Sequence, residues 1–183
     1  MPNETKIILK HGGYRDLKSY QNATIVYDLT VVFVEKHIDR FSRTKDQMTQ
    51  AARSGKQNIV EGSMASGTSK KTEIKLTGVA RASLEELLAD YEDFLRQHDW
   101  PVWNKDDERA KEIRKLSYGS NRSYKTYSTH MSSPELAANT LICLIHQTNY
   151  LLDRQLQALE RAFLDDGGLT ERIYNARRNR RGY

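Results

Sequence analysis

The residues of this chain with the clearest chemical potential are cations set among aromatic rings. Arg122, Tyr124, Lys125 and Tyr127 alternate charge and ring within six residues. Such a run can stack unpaired bases on its rings while its cations follow the phosphates. Arg172, Arg177, Arg178, Arg180 and Arg181 crowd the last stretch, where residues 167–183 hold five arginines against one glutamate. That stretch carries +4 of the formal net charge of +5, leaving a nearly neutral body with a basic end. The asymmetry is expected of an extension that binds a polyanion. The plainer alternatives are a solubilising end and a solvated loop whose tyrosines cover the side of a bundle.

Other chemistry finds little support. His11, His37, His98, His130 and His146 never pair at a metal-ligand spacing, so neither a metal site nor a cofactor is expected. Cys143 and His146 lie three apart on one helix, but nothing supplies the orienting third group or oxyanion hole of a hydrolase. The glycines at 62 and 67 lack the GK[ST] ending of a phosphate loop. Glu85, Glu86, Asp90 and Asp93 form a dense acidic group whose spacing suits a solvent face better than an acid/base pair. The expectation is a protein with no catalytic residues.

The single cysteine, Cys143, sits in the apolar run LICLI and reads as a buried thiol in a reducing compartment. The short Ile7-Ile8-Leu9 patch is no signal-peptide core, and no run approaches the length of a membrane span. A cytoplasmic protein without a membrane segment is expected.

The elements that must position these residues read as helices. Three prolines and ten glycines, against long runs of Ala, Leu, Glu, Lys, Arg and Gln, favour an all-α chain. The expected architecture is an antiparallel four-helix bundle with a C-terminal helical extension and a basic tail. Helices are expected near 17–41, 44–64, 69–98 and 134–164, with a minor one near 106–118. In the first, Tyr20, Thr24, Tyr27, Val31, Val34, Ile38 and Phe41 recur in steps of three and four and predict the seam. A strand over Ile25 to Phe33 is the rival, because β-branched residues alternate there.

Thr44-Lys-Asp-Gln47 has the form of a capping box for the second helix. Met48, Ala52, Gly55 and Ile59 make a narrow stripe on it that lets a neighbour approach closely. Beside that stripe, Gln47, Gln50, Ser54, Gln57, Asn58 and Glu61 form a mostly uncharged polar row, read first as an interhelical hydrogen-bond network. Thr68 or Ser69 caps the third helix, whose core face is Leu76, Ala80, Leu84, Leu87, Tyr91 and Phe94 or Leu95. Residues 119–133 read as a polar loop, and Ser133-Pro134 starts the last long helix. Its stripe is Leu141, Ile145, Leu152, Leu156, Leu159 and Phe163.

The organisation is thus an arm at 1–16, three helices over 17–103, a short helix and polar loop over 104–133, a long helix over 134–166 and the basic tail at 167–183. Residues 141–145 are apolar all round, and Ile25, Leu29 and Val32 lie off the expected seam of the first helix. Both features call for more covering surface than one small bundle offers, so a homo-oligomer is expected.

YRDLKSYQNA at 14–23, QAARSGKQNIVEGS at 50–63 and SKKTEIKLTGVARASLEEL at 69–87 carry a resemblance. They are similar to the four-helix-bundle family first noted as products of intervening sequences in bacterial large-subunit ribosomal RNA genes. The matching positions are Tyr14, Arg15, Asp16, Leu17, Asn58, Ile59, Glu61, Gly62, Ser69, Lys70, Ser83, Leu84, Glu86 and Leu87. Gly55-Lys56 departs from the family's usual small-Ile/Pro pair, and Ile74 replaces an aromatic. Residues 134–177 resemble the C-terminal four-helix-bundle suffix domain of some members, so the resemblance covers most of the chain. A related group includes the accessory variability determinant of diversity-generating retroelements, a cyclic homopentamer that binds nucleic acid and partners a reverse transcriptase.

The basic end, supported by the 122–127 run and by the resemblance, gives the expectation of a non-catalytic, oligomeric RNA- or DNA-binding accessory protein, serving a reverse transcriptase or an RNA-processing complex. A pentamer before a dimer is what the resemblance implies. A protein-only helical scaffold is the alternative.

Overall fold

Helix starts in this chain are set by side chains that accept otherwise unpartnered backbone N–H groups. Ser42 accepts from the Thr44 amide, Ser69 from Thr72, Asp107 from Arg109 and Ser133 from Leu136, the last with Pro134 in the first turn. The computed structural model describes residues 7–181, so residues 1–6 of the expected arm and residues 182–183 of the tail lie outside the described residues. Between those limits run α1 (Lys18–His37), α2 (Arg43–Ala65), α3 (Lys70–Gln97), α4 (Glu108–Leu116), α5 (Pro134–Asp166) and α6 (Leu169–Arg181). No strand occurs among the described residues, so Ile25 to Phe33 is helix.

Helices α1, α2, α3 and α5 close an all-α bundle in which α1 packs on α2, α2 on α3, α3 on α5 and α5 back on α1. The α2–α3 pair is antiparallel, because Gly55 meets Leu84 while Gly62 meets Glu73 and Leu76. The α3–α5 pair is antiparallel too: Arg81 bonds Asp153, and Glu85 accepts from Asn149. Ala80, Leu84, Leu87, Tyr91, Phe94 and Leu95 are all buried, as the spacing predicts, while Leu76 is half-buried. Each buried leucine contributes about 1.5–3 kcal/mol of burial energy. Tyr91 donates to Thr30 Oγ1 at 3.0 Å, which ties α3 to α1 through the core.

One expected start is corrected. The cap of α2 is Ser42, not Thr44, because Ser42 has extended backbone and its hydroxyl is the one in reach. The end of α3 falls where it is expected, with Gln97 last and His98 as the cap. Asp99 takes φ of +55°, the Trp100 amide donates to Leu95 and the Asp99 amide to Arg96, which is a Schellman closure.

The seam expected for α1 is also corrected. Tyr20, Thr24, Tyr27 and Val31 are half-exposed, and Phe41 is 81% exposed beyond the helix end. The buried face is instead Ala23, Val26, Leu29, Thr30 and Phe33, joined by Asn22, Ile25 and Val34. Contact with both α2 and α5 buries a wide arc of α1, and Lys56 Nζ caps the half-exposed Tyr27 ring at 4.5 Å.

Leu141, Ile142, Leu144 and Ile145 are buried within one chain, because α5 is flanked by α1, α3, α4 and the segment before it, whereas Cys143, expected to be a buried thiol, is half-buried. Ile25 and Leu29 are likewise buried in the monomer, while Val32 is half-buried. Most of the covering surface that these residues need is supplied internally.

The polar loop expected at 119–133 contains a 3-10 helix over Tyr124–Met131. Ser123 and Thr126 form a reciprocal capping box at its start, and Tyr127 and Met131 anchor it in the core.

Candidate nucleic-acid interface

Helix α6 follows α5 after a break at Gly167, where φ of +65° lets the chain turn. Glu171 Oε2 then accepts from the Gly168 amide and secures the first turn. From there the five tail arginines divide into two kinds.

Arg172 is turned toward the bundle. Its Nε donates to the Ile7 carbonyl at 3.3 Å and its Nη2 to the Gly67 carbonyl at 3.5 Å. Gly67 also accepts from the Leu9 amide at 3.4 Å, so one carbonyl gathers the arm at 7–12 and the start of α6. A side chain at Gly67 would lie 2.7 Å from His11 Nδ1, so only glycine leaves room for the arm. Arg172 is therefore a clamp and is removed from the set of free phosphate ligands.

Arg177, Arg178, Arg180 and Arg181 are exposed, and none forms an ion pair among the described residues. Tyr174, 64% exposed, precedes Arg177, Arg178 and Arg181 by three, four and seven residues. That spacing places ring and cations on one helical face. Tyr174 was not among the residues expected from sequence, although the same helical count reveals it.

The second expected group, Arg122 to Tyr127, is split by the 3-10 helix. Tyr124 and Lys125 stay exposed, whereas Tyr127 is 0% exposed and its ring is part of the core. Tyr127 is thus corrected from a stacking ring to an anchor. Arg122 is half-buried and turns into the wall of a cavity between α1, α4 and α5. The expected four-residue surface reduces to Tyr124 and Lys125.

The polar row on α2 forms the expected interhelical bridge in part. Ser54 Oγ lies 2.9 Å from Ser83 Oγ, and Asn58 Nδ2 donates to Ser54 at 3.0 Å. Gln47 and Gln50 instead line an open groove of about 370 Å³ with Asp46 and Glu86.

Elsewhere the titratable groups are held by their neighbours. Among the described residues no group of three or more His, Cys, Asp or Glu side chains converges on a common point. Burial pushes the Cys143 thiol up to about 11, the direction opposite to an activated nucleophile. In the acidic group, Glu85 is engaged by Asn149 and Asp93 by Arg96, while burial raises Asp90, helped by Glu86 and Asp93. No helix among the described residues is long and apolar enough to cross a membrane. No protein-family model, no curated protein and no solved structure matches this chain.

Proposed function

We propose that this chain is a non-catalytic nucleic-acid-binding accessory protein of the cytoplasm, and that α6 is its principal phosphate-binding element. The observation that carries this reading is the exposed face of Tyr174, Arg177, Arg178 and Arg181, with Arg180 beside it and no acid paired to any of them among the described residues. Cations of this kind track phosphates with little sequence preference, and an exposed ring among them adds stacking on unpaired bases. Tyr124 and Lys125 offer a smaller secondary contact.

The family resemblance adds a homo-oligomer, a pentamer before a dimer, working beside a reverse transcriptase or an RNA-processing complex. Self-association has one feature in its favour: Leu156, Leu159 and Phe163, on the far half of α5, are only half-buried. Light scattering should then give a multiple of 21.2 kDa at tens of micromolar, and the monomer mass would count against it.

Truncating the tail at residue 170 would also remove the Arg172 clamp, so a cleaner test replaces Arg177, Arg178, Arg180 and Arg181 together with glutamine. Single-stranded and structured RNA titrated at low salt should bind the wild type and lose most affinity in the variant. Equal binding by both proteins would refute α6 as the phosphate-binding element, and binding by neither would leave the protein-only scaffold as the better reading.

A further inference from the structure

Between the start of α1, the 103–105 turn, α4 and the middle of α5 lies a cavity of about 620 Å³. That volume is within the roughly 300–1,000 Å³ of small-molecule sites. Its walls carry four cations, Lys18, Lys105, Arg114 and Arg122, and no carboxylate. None of the four forms an ion pair among the described residues. Asp107, an acid whose field reaches Cys143 in the same wall, is held by Arg109 at 2.8 Å.

Two wall residues are more than nine-tenths buried and leave a polar atom without a hydrogen-bond partner. Asn22, 3% exposed, has an unpartnered Oδ1, and Trp103, 7% exposed, has an unpartnered indole N–H. A guanidinium nitrogen of Arg122 is unpartnered as well. Each of these atoms is closed off behind the wall, and each costs stability while it stays unpaired. Tyr118 and Tyr150 also line the cavity and stand largely exposed, offering ring faces to a planar group.

We propose that this cavity is a binding site for a nucleoside phosphate, with the phosphate among Lys18, Lys105, Arg114 and Arg122. A nucleoside phosphate joins that anion to a flat base. Its ring is the planar group that Tyr118 or Tyr150 would cover. A free mononucleotide and the 5′-phosphorylated end of a strand present the same chemistry. The site is separate from α6, and its occupancy does not depend on the α6 arginines.

Calorimetric titration of the full chain with AMP, CMP, adenosine, inorganic phosphate and a tetranucleotide with or without its 5′-phosphate tests the site. At least one nucleotide or the 5′-phosphorylated tetranucleotide should bind below millimolar concentration. In the fourfold α6 glutamine variant, where strand phosphates have no α6 contact, adenosine, phosphate and the 5′-hydroxyl tetranucleotide should bind at least tenfold more weakly. Lys18→Gln and Lys105→Gln, both exposed on the wall, should each weaken binding about tenfold without changing Tm, whereas the fourfold α6 glutamine variant should bind as the wild type does. In that variant, preference for the 5′-phosphorylated tetranucleotide over AMP and CMP would assign the strand end, and the reverse a free nucleotide. No binding by any phosphorylated compound, or binding that both cavity variants leave intact, would overturn the proposal.

Discussion

A Cβ atom at Gly55 would lie 2.7 Å from both Cγ and Cδ2 of Leu84, closer than side chains pack. Leu84 is 0% exposed in the bundle core, so it has no room to yield. The closeness of α2 to α3 therefore depends on this missing side chain, and the Ser54–Ser83 contact one residue back depends on the same approach.

Gly55→Ala should destabilise the fold by about 1–3 kcal/mol, the usual cost of forcing bulk into a packed core. Gly78 in α3 has nothing within 4 Å of its added Cβ. There the same substitution should stabilise by about 0.5–1 kcal/mol through helix propensity. Urea denaturation of the two variants checks both signs, and two changes of the same sign would contradict the packing described.

Arg172→Ala should loosen the arm without unfolding the bundle. Amide exchange at residues 8–12 should speed up, with a global cost of about 1 kcal/mol or less, since the clamp is partly solvated. Arg177→Gln should leave that exchange unchanged. Equal effects from the two would mean that Arg172 is no more than another surface cation.

Asp90 and Asp107 should respond to pH in opposite directions. Burial raises the Asp90 carboxyl above its ordinary 3.8, so its charge costs stability above the folded value and nothing below the unfolded one. Asp90→Asn should raise Tm at pH 7 and leave it unchanged near pH 2. The Arg109 guanidinium lowers Asp107, whose stabilisation is present above 3.8 and lost as pH falls through the folded value. Asp107→Ala should lower Tm at pH 7, with a smaller effect near pH 2. Shifts independent of pH would contradict both assignments.

Cys143, with its thiol pushed up to about 11, should be slow to alkylate. At pH 7.5 iodoacetamide should label it roughly 100-fold more slowly than an unperturbed thiol, and unfolding in urea should restore the ordinary rate. A native rate equal to the unfolded one would place the thiol in solvent.

Much of the bundle was legible because its signals are local. Ser69 and Ser133 sit where caps belong, and α3 keeps one narrow apolar stripe against polar residues on the other sides. The face of α1 was not legible, because Val, Tyr and Thr occur on every side and two neighbouring helices bury a wide arc. Arg172 reads locally like the other tail arginines. Its partners at Ile7 and Gly67 lie 165 and 105 residues away in sequence, so only the fold separates it from them. The core role of Tyr127 was masked by polar neighbours, although the Ser123–Thr126 spacing hinted at an ordered turn.

The central claim is that the exposed α6 arginines bind phosphates, and the salt dependence of RNA affinity tests it most directly. Four arginines each neutralising one phosphate should give a log–log slope near −3 on single strands, at about −0.7 per contact. The variant with glutamine at Arg177, Arg178, Arg180 and Arg181 should bring that slope close to zero while its helical circular dichroism stays unchanged. A slope that remains near −3 in the folded variant would contradict the account.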